Sequence, residues 1–109
     1  VNHDGRSASL TAPNGPSQQE AIRGALAQAG LEPDAVDYIE SHGTGTSLGD
    51  PIELGAIRAV ILDKRTTDRP LVLGALKTNI GHLEGSAGIS GIIKAVLVLQ
   101  HRVSPPNLN

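Results

Sequence analysis

Apolar residues along the chain fall into short groups set apart by stretches rich in Gly, Pro, Ser and Thr. In the first group Ala21, Ile22, Ala25, Leu26 and Ala29 recur on one helical face. Ser17 and Glu20 form a capping-box pattern ahead of them, and Gly30 with Pro33 closes the helix. "VDYIES", 36–41, is short and β-favouring. "DPIELGAIRAVI" then predicts a second helix, with Asp50 as cap, Pro51 at the first helical position and Glu53 completing a box. After the charged turn "DKRTTDRP", the uninterrupted apolar run "LVLGAL", 71–76, predicts a strand covered on both faces. A third helix runs from about Ala87 to His101; Ile89, Ile92, Ile93, Val96, Leu97, Val98 and Leu99 leave it little polar face, which predicts a central, buried position. Residues 1–16 read as irregular chain with a turn at Asn14-Gly15-Pro16.

Helix, strand, helix, strand, helix with short joins is the order of an α/β layer around a parallel sheet with right-handed crossovers. Ligands in such sheets sit beyond the carboxyl ends of the strands. The loop that begins at His42 and the loop that carries Lys77 and His82 therefore share one sheet end, where the two histidines can converge.

Composition narrows the possible partners. A chain of 109 residues holds one modest core, so residues 1–109 read as a single domain. Its formal charge of -2, with both signs interspersed, argues against nucleic acid and anionic membrane and leaves a small molecule or another protein as ligand. Cys, Met, Trp and Phe are absent, and Tyr38 is the single aromatic residue. A start at Val1 and an end at Asn109 read as a piece of a longer polypeptide without leader or membrane-spanning run, with the cytoplasm as its expected compartment. Without cysteine there is no disulfide, and any thiol chemistry has to come from outside these residues.

His42 follows its strand directly and precedes Gly43, Thr44, Gly45 and Thr46, which exposes an imidazole, hydroxyls and unhindered backbone. A tight turn with an incidental histidine would read the same way. In the second loop, "GALKTNIGHLEGSAG", Lys77, Asn79, His82 and Glu84 stand beside an apolar helix. A structural arrangement, Lys77 paired with Glu84 and His82 donating to a carbonyl, would satisfy them. Two histidine-bearing loops at one sheet end favour instead a site whose imidazole N–H groups stabilise a developing oxyanion. "HGTGTSLGD" lacks the GK[ST] of a phosphate loop, "GTGTSLG" lacks the third glycine of a dinucleotide fingerprint, and histidines 3, 42, 82 and 101 lack the short-range pairing of a zinc site. His101 suits a helix C-terminus and His3 lies in the leader, while Ser17 and Asp50 read as caps.

"DGRSASLTAPNGPSQQ", "ESHGTGTSLGDPIE" and "KTNIGHLEGSAG", in this order and spacing, resemble the C-terminal part of a β-ketoacyl synthase, specifically the ketosynthase domain of a type I modular polyketide synthase. Fatty-acid condensing enzymes are the second reading, since they usually lack the "GDPIE" and "NIGH" wording. The resemblance spans essentially the whole chain. It implies a thiolase-like fold of two similar halves, with this chain in the second and the nucleophilic cysteine in the first. The implied reaction loads an acyl group on that cysteine and condenses it with a malonyl-type unit on the phosphopantetheine arm of an acyl carrier protein, with loss of carbon dioxide. His42 and His82 resemble the two catalytic histidines, Lys77 the lysine that organises the site, and Thr44 and Thr46 hydroxyls that hydrogen-bond the pantetheine arm. No cofactor is bound directly and no metal is implied. The implied partners are the carrier protein, the N-terminal half of the same ketosynthase and a second copy of the parent.

Ser41 and Ser86 depart from the alanines commoner in the family, which touches only fine packing. Other readings are a non-condensing, ketosynthase-like scaffold domain that binds the carrier protein, and a thiolase, which would need a second cysteine. Alone, the chain is expected to be catalytically silent and to expose apolar surface from its third helix.

Overall fold

The computed structural model describes residues 12–63, 65, 66 and 68–108, so most of the irregular leader, with His3, lies outside the described residues. Helix α1 spans Gly15–Ala29, strand β1 Tyr38–Glu40, α2 Gly49–Ile57 with a π-helical continuation over Arg58–Leu62, β2 Val72–Gly74, α3 Lys77–Ile80 and α4 Ala87–His101. The two strands pair in parallel, with Tyr38 opposite Val72, Ile39 opposite Leu73 and Glu40 opposite Gly74.

Strand alternation sorts the layers. Ile39 and Leu73 face α1 and α2, where Ile57, Val60 and Ile61 form the buried centre with Ile22, Leu26, Val36 and Leu71 packed around them. Tyr38, Glu40 and Gly74 face the other way, towards α4. At Gly74 a side chain has no room: a Cβ there would lie 2.6 Å from Glu40 Oε2 and against the Tyr38 hydroxyl. Glycine is what lets α4 and the side chains of β1 close over β2.

Several local expectations change. Asn14, read as part of a turn, caps α1 by accepting the Ser17 N–H at 3.0 Å, so Ser17 is inside the helix. Pro16 fits a first helical turn because its missing N–H would be unpaired there anyway. Gly30 closes α1 at φ 63 as expected. Asp50 does not cap α2: the Thr46 hydroxyl accepts the Gly49 N–H at 3.0 Å, and the Asp50 carboxylate turns back to the preceding loop. Both strands are shorter than their apolar runs, because ladder partners exist only over three residues.

The larger correction concerns cover. Val72 is exposed, so β2 is not enclosed on both faces by the described residues. α4 keeps its expected bounds but not its expected burial: Lys94 is its only buried residue, while Ile92 is 62 % and Leu99 76 % exposed. The pattern of α4 is that of an internal helix; the described residues supply only part of the surface such a helix packs against.

Two polar clasps, unannounced by hydrophobic pattern, fix the sheet. The Arg65 guanidinium, 4 % exposed, donates to the Val36 carbonyl at 2.6 Å and pairs with Asp37 at 3.1 Å, holding the entry to β1. At the other end Asn107 donates to Leu73 O at 3.1 Å and accepts from Ala75 N at 2.9 Å, so its amide acts as one link of a missing strand along β2.

Candidate active site

β1 and β2 end side by side, and the chain leaves both ends into the site. At the β1 exit the Ser41 N–H and hydroxyl both donate to Gly74 O at 2.8 Å, which ties the start of one loop to the end of the other strand. Gly43 follows at φ 46 and Gly45 at φ 75, left-handed conformations that favour glycine. A Cβ on Gly43 would come to 3.0 Å from Ala75 Cβ, so the loop lies close against the β2 exit.

That approach brings the expected residues together. The His42 and His82 rings stand edge to face with centroids 5.7 Å apart. Lys77 opens α3 and sets its Nζ 3.3 Å from His42 Nδ1. An ammonium only donates, so His42 Nδ1 accepts. The Glu84 N–H, at 3.0 Å, likewise donates to His82 Nδ1. Both neutral rings therefore carry their proton on Nε2, and neither Nε2 has a partner among the described residues. Sequence left open a Lys77–Glu84 pair and a His82 that donates to a carbonyl. Here Lys77 turns to His42 and His82 accepts at Nδ1, with positive φ at Glu84 (48°) in the turn that delivers its N–H.

Thr44 and Thr46 sit on the same loop with hydroxyl oxygens 3.3 Å apart. They differ in commitment: Thr46 already accepts from Gly49 at the start of α2, whereas Thr44 lines a cleft of about 480 Å³ with Lys77, His82, Leu54, Leu73 and Leu108. Both histidines are exposed in this chain.

Three carboxylates that support the site escaped the sequence reading. Glu53 reads as the end of a capping box, yet its two oxygens accept the backbone N–H groups of His42 at 2.6 Å and Gly43 at 3.0 Å. Asp50 accepts the Gly45 N–H with both oxygens, at 3.2 and 3.1 Å. An acid in the first turn of a helix that directly follows a glycine-rich loop, with a second acid three residues on, was the available signal. Glu40 is the third. It accepts from the Tyr38 hydroxyl and from the Leu76 N–H, next to Lys77, and its Oε2 lies 3.0 Å from Lys94 Nζ. The signal for this one was a lone lysine inside the apolar pattern of α4.

Glu40 and Lys94 are 11 % and 7 % exposed, and the ammonium sits off the line of a directed hydrogen bond. Burial first, and then the hydrogen bond and charge of Glu40, push the Tyr38 phenol far above its ordinary 10.0. The pair is costly to break from one side. Glu40→Ala is expected to lower the stability of the folded protein by about 3–5 kcal/mol, since it strands a buried ammonium, while Glu40→Leu with Lys94→Met, which leaves only the Tyr38 hydroxyl and the Leu76 N–H without their acceptor, costs less. Urea midpoints of the longest form that unfolds cooperatively check this; equal losses for both variants would contradict it.

The whole chain, residues 1–109, matches the family described as the C-terminal domain of β-ketoacyl synthase. Across all 109 residues it is 58 % identical to the spectinabilin polyketide synthase system protein NorB of Streptomyces orinoci and 57 % to the pikromycin polyketide synthase component PikAII of Streptomyces venezuelae. It spans only 5 % and 3 % of those proteins. Among solved structures, 99 % of the chain superposes on the oxazolomycin ketosynthase domain OzmH KS8 of Streptomyces albus JA3453, with TM-score 0.91 and 44 % identity over 29 % of that chain. All of it superposes on ketosynthase twelve of the bacillaene polyketide synthase in Bacillus amyloliquefaciens, with TM-score 0.88 and 41 % identity over 19 % of that chain.

Proposed function

The chain belongs to the β-ketoacyl synthase C-terminal domain family, with the thiolase-like fold of the ketosynthases it superposes on, and from that premise we propose that it is the histidine-bearing part of a polyketide-synthase condensing site. Its task is the decarboxylative step. A malonyl-type thioester on the phosphopantetheine arm of an acyl carrier protein loses carbon dioxide, and the electron pair of the broken C–C bond passes into an enolate whose charge gathers on the thioester oxygen. The enolate carbon then attacks an acyl thioester held on a cysteine, displaces the thiolate and leaves a β-ketoacyl chain on the carrier. The resemblance to the ketosynthases puts that cysteine in the N-terminal half of the domain; this chain contains none.

One observation carries the reading: at one sheet end stand two imidazoles, each with Nδ1 taken by a donor and Nε2–H free. Donors fixed before the charge develops stabilise it without reorganisation, an effect worth several kcal/mol in a water-excluded site. His42 and His82 are the oxyanion donors in this reading. Lys77 sets the tautomer of His42 and adds a positive field, as an organiser rather than a nucleophile. Thr44 faces the cleft and suits a hydrogen bond to an amide of the pantetheine arm; Thr46 accepts at the helix start and keeps only its own proton to donate.

The N-terminal half is also the natural cover for α4 and for the exposed histidines. The acyl carrier protein, a second copy of the parent and a cytoplasmic setting complete the proposal; no helix among the described residues is long and apolar enough to cross a membrane. Polyketide rather than fatty-acid synthesis is favoured by the nature of the relatives. His82→Ala in the full-length protein tests the assignment: carbon dioxide release from malonyl carrier protein should collapse, and unchanged release would overturn it.

A further inference from the structure

α3 is a single turn, Lys77–Ile80, and none of its residues is buried. One turn of helix does not hold itself in water, so the place of Lys77 is decided by what grips that turn from outside. From the α4 side Glu40 takes the Leu76 N–H. The other grip comes from the chain that follows α4. Arg102, at φ 55, ends that helix, and Pro105 and Pro106 stiffen the stretch that returns to β2. There the Asn107 amide accepts from Ala75 N–H at 2.9 Å and donates to Leu73 O at 3.1 Å, the two groups that a residue on a parallel neighbouring strand would use. On α3 itself the Thr78 hydroxyl accepts the Leu108 N–H, and the Asn79 amide donates to Pro106 O, both at 3.1 Å. Both residues that follow Lys77 are thus committed to the same short segment.

We propose that residues 106–108 form a strap that seats α3 and so places Lys77 against His42, with Asn107 as the positioning residue. This rests on the reading of Lys77 as the organiser of His42. The Lys77 Nζ stands 3.3 Å from His42 Nδ1, already at the long end of hydrogen-bond distance. A displacement of α3 by about 1 Å is therefore enough to part them, and misplacements of that size cost up to about 10²-fold in rate. Asn107 grips β2 where the strand gives way to α3, so its loss loosens the base of the turn as well as the strap. A plain cap on the open edge of β2 would contribute to stability alone.

The test is a cycle in the full-length ketosynthase: Asn107→Ala, Lys77→Ala and the two together. Asn107→Asp serves as a partial variant that keeps an oxygen for the Ala75 N–H but loses the donor to Leu73 O, and it takes over the cycle if Asn107→Ala does not fold. Carbon dioxide release from malonyl carrier protein is expected to fall about 10-fold with Asn107→Ala and about threefold with Asn107→Asp, with KM for the carrier protein within about twofold of the parent. In the Lys77→Ala background the same substitutions should change release by less than about twofold, because nothing is left for Asn107 to position. Ring ¹⁵N shifts of His42 should move with Asn107→Ala in the direction in which Lys77→Ala moves them, while those of His82, whose Nδ1 is held by the Glu84 N–H, should stay. Release within about twofold of the parent, with only a lower melting temperature, would mark an edge cap and overturn the proposal. So would a loss that is the same with and without Lys77, or a KM that deteriorates in step with kcat. If Lys77→Ala itself leaves release and the His42 shifts unchanged, the organiser reading falls and the strap's role falls with it.

Discussion

Carbon dioxide release from malonyl carrier protein is expected to fall about 10²–10³-fold when either His42 or His82 is replaced by alanine in the full-length ketosynthase, the loss typical of one oxyanion donor. Loading of the acyl group on the cysteine of the other half should survive, because that step needs no enolate. The two rings are 5.7 Å apart at their centroids and each offers one free Nε2–H, so both donors can address one oxygen. Groups that act on the same charge are not independent. The double variant is therefore expected to lose less than the product of the two single losses. A multiplicative double would mean two separate steps, one histidine each, and would split the site proposed here.

The second large effect concerns α4. Ile89, Ile92, Ile93, Val96, Leu97 and Leu99 are all exposed, and each such side chain gains about 1.5–3 kcal/mol on full burial. Together they amount to roughly 10 kcal/mol, comparable with the whole net stability of a typical domain. Left in water, that surface drives association instead of folding. The isolated 109-residue chain is expected to bind a hydrophobic dye, to sediment as oligomers and to unfold without a cooperative transition; a soluble monomer with a sharp thermal transition would contradict this. In the full-length domain Ile92→Asp should prevent folding, whereas Gln100→Asp, at a position already polar, should not.

How much of this was legible in the sequence depends on what kind of signal carried it. Helical periodicity gave α4 and the end of α1, since their apolar faces and the Gly30 stop are local features, but α1 begins ahead of the expected Ser17 cap, at Gly15 behind Asn14. The convergence of His42, Lys77 and His82 followed from strand order and the rule for parallel sheets, and the geometry places His42 beside both Lys77 and His82. Strand ends were not legible, because a ladder stops where its partner stops, and that is a property of two segments at once. For α4 the pattern predicts a central, buried helix, while the expectation that this chain alone exposes its apolar surface holds: an apolar pattern states what a helix needs, not what the chain at hand supplies. Glu53 and Glu40 were missed because each acts far from its own place in sequence, and Asp50 because it turns back to Gly45 instead of capping α2. Glu53 reaches back 11 residues to His42 and Glu40 forward 36 to Leu76, beyond any capping motif.

The claim at the centre of this account is chemical: two neutral imidazoles, each held with its proton on Nε2, meet the charge that decarboxylation creates. Histidine ¹⁵N spectra of the intact ketosynthase at neutral pH read this most directly. His42 and His82 are expected to show a bare, accepting Nδ1 and a protonated Nε2, as their contacts with Lys77 and the Glu84 N–H require. A proton on Nδ1 of either ring, or a doubly protonated imidazolium, would contradict it.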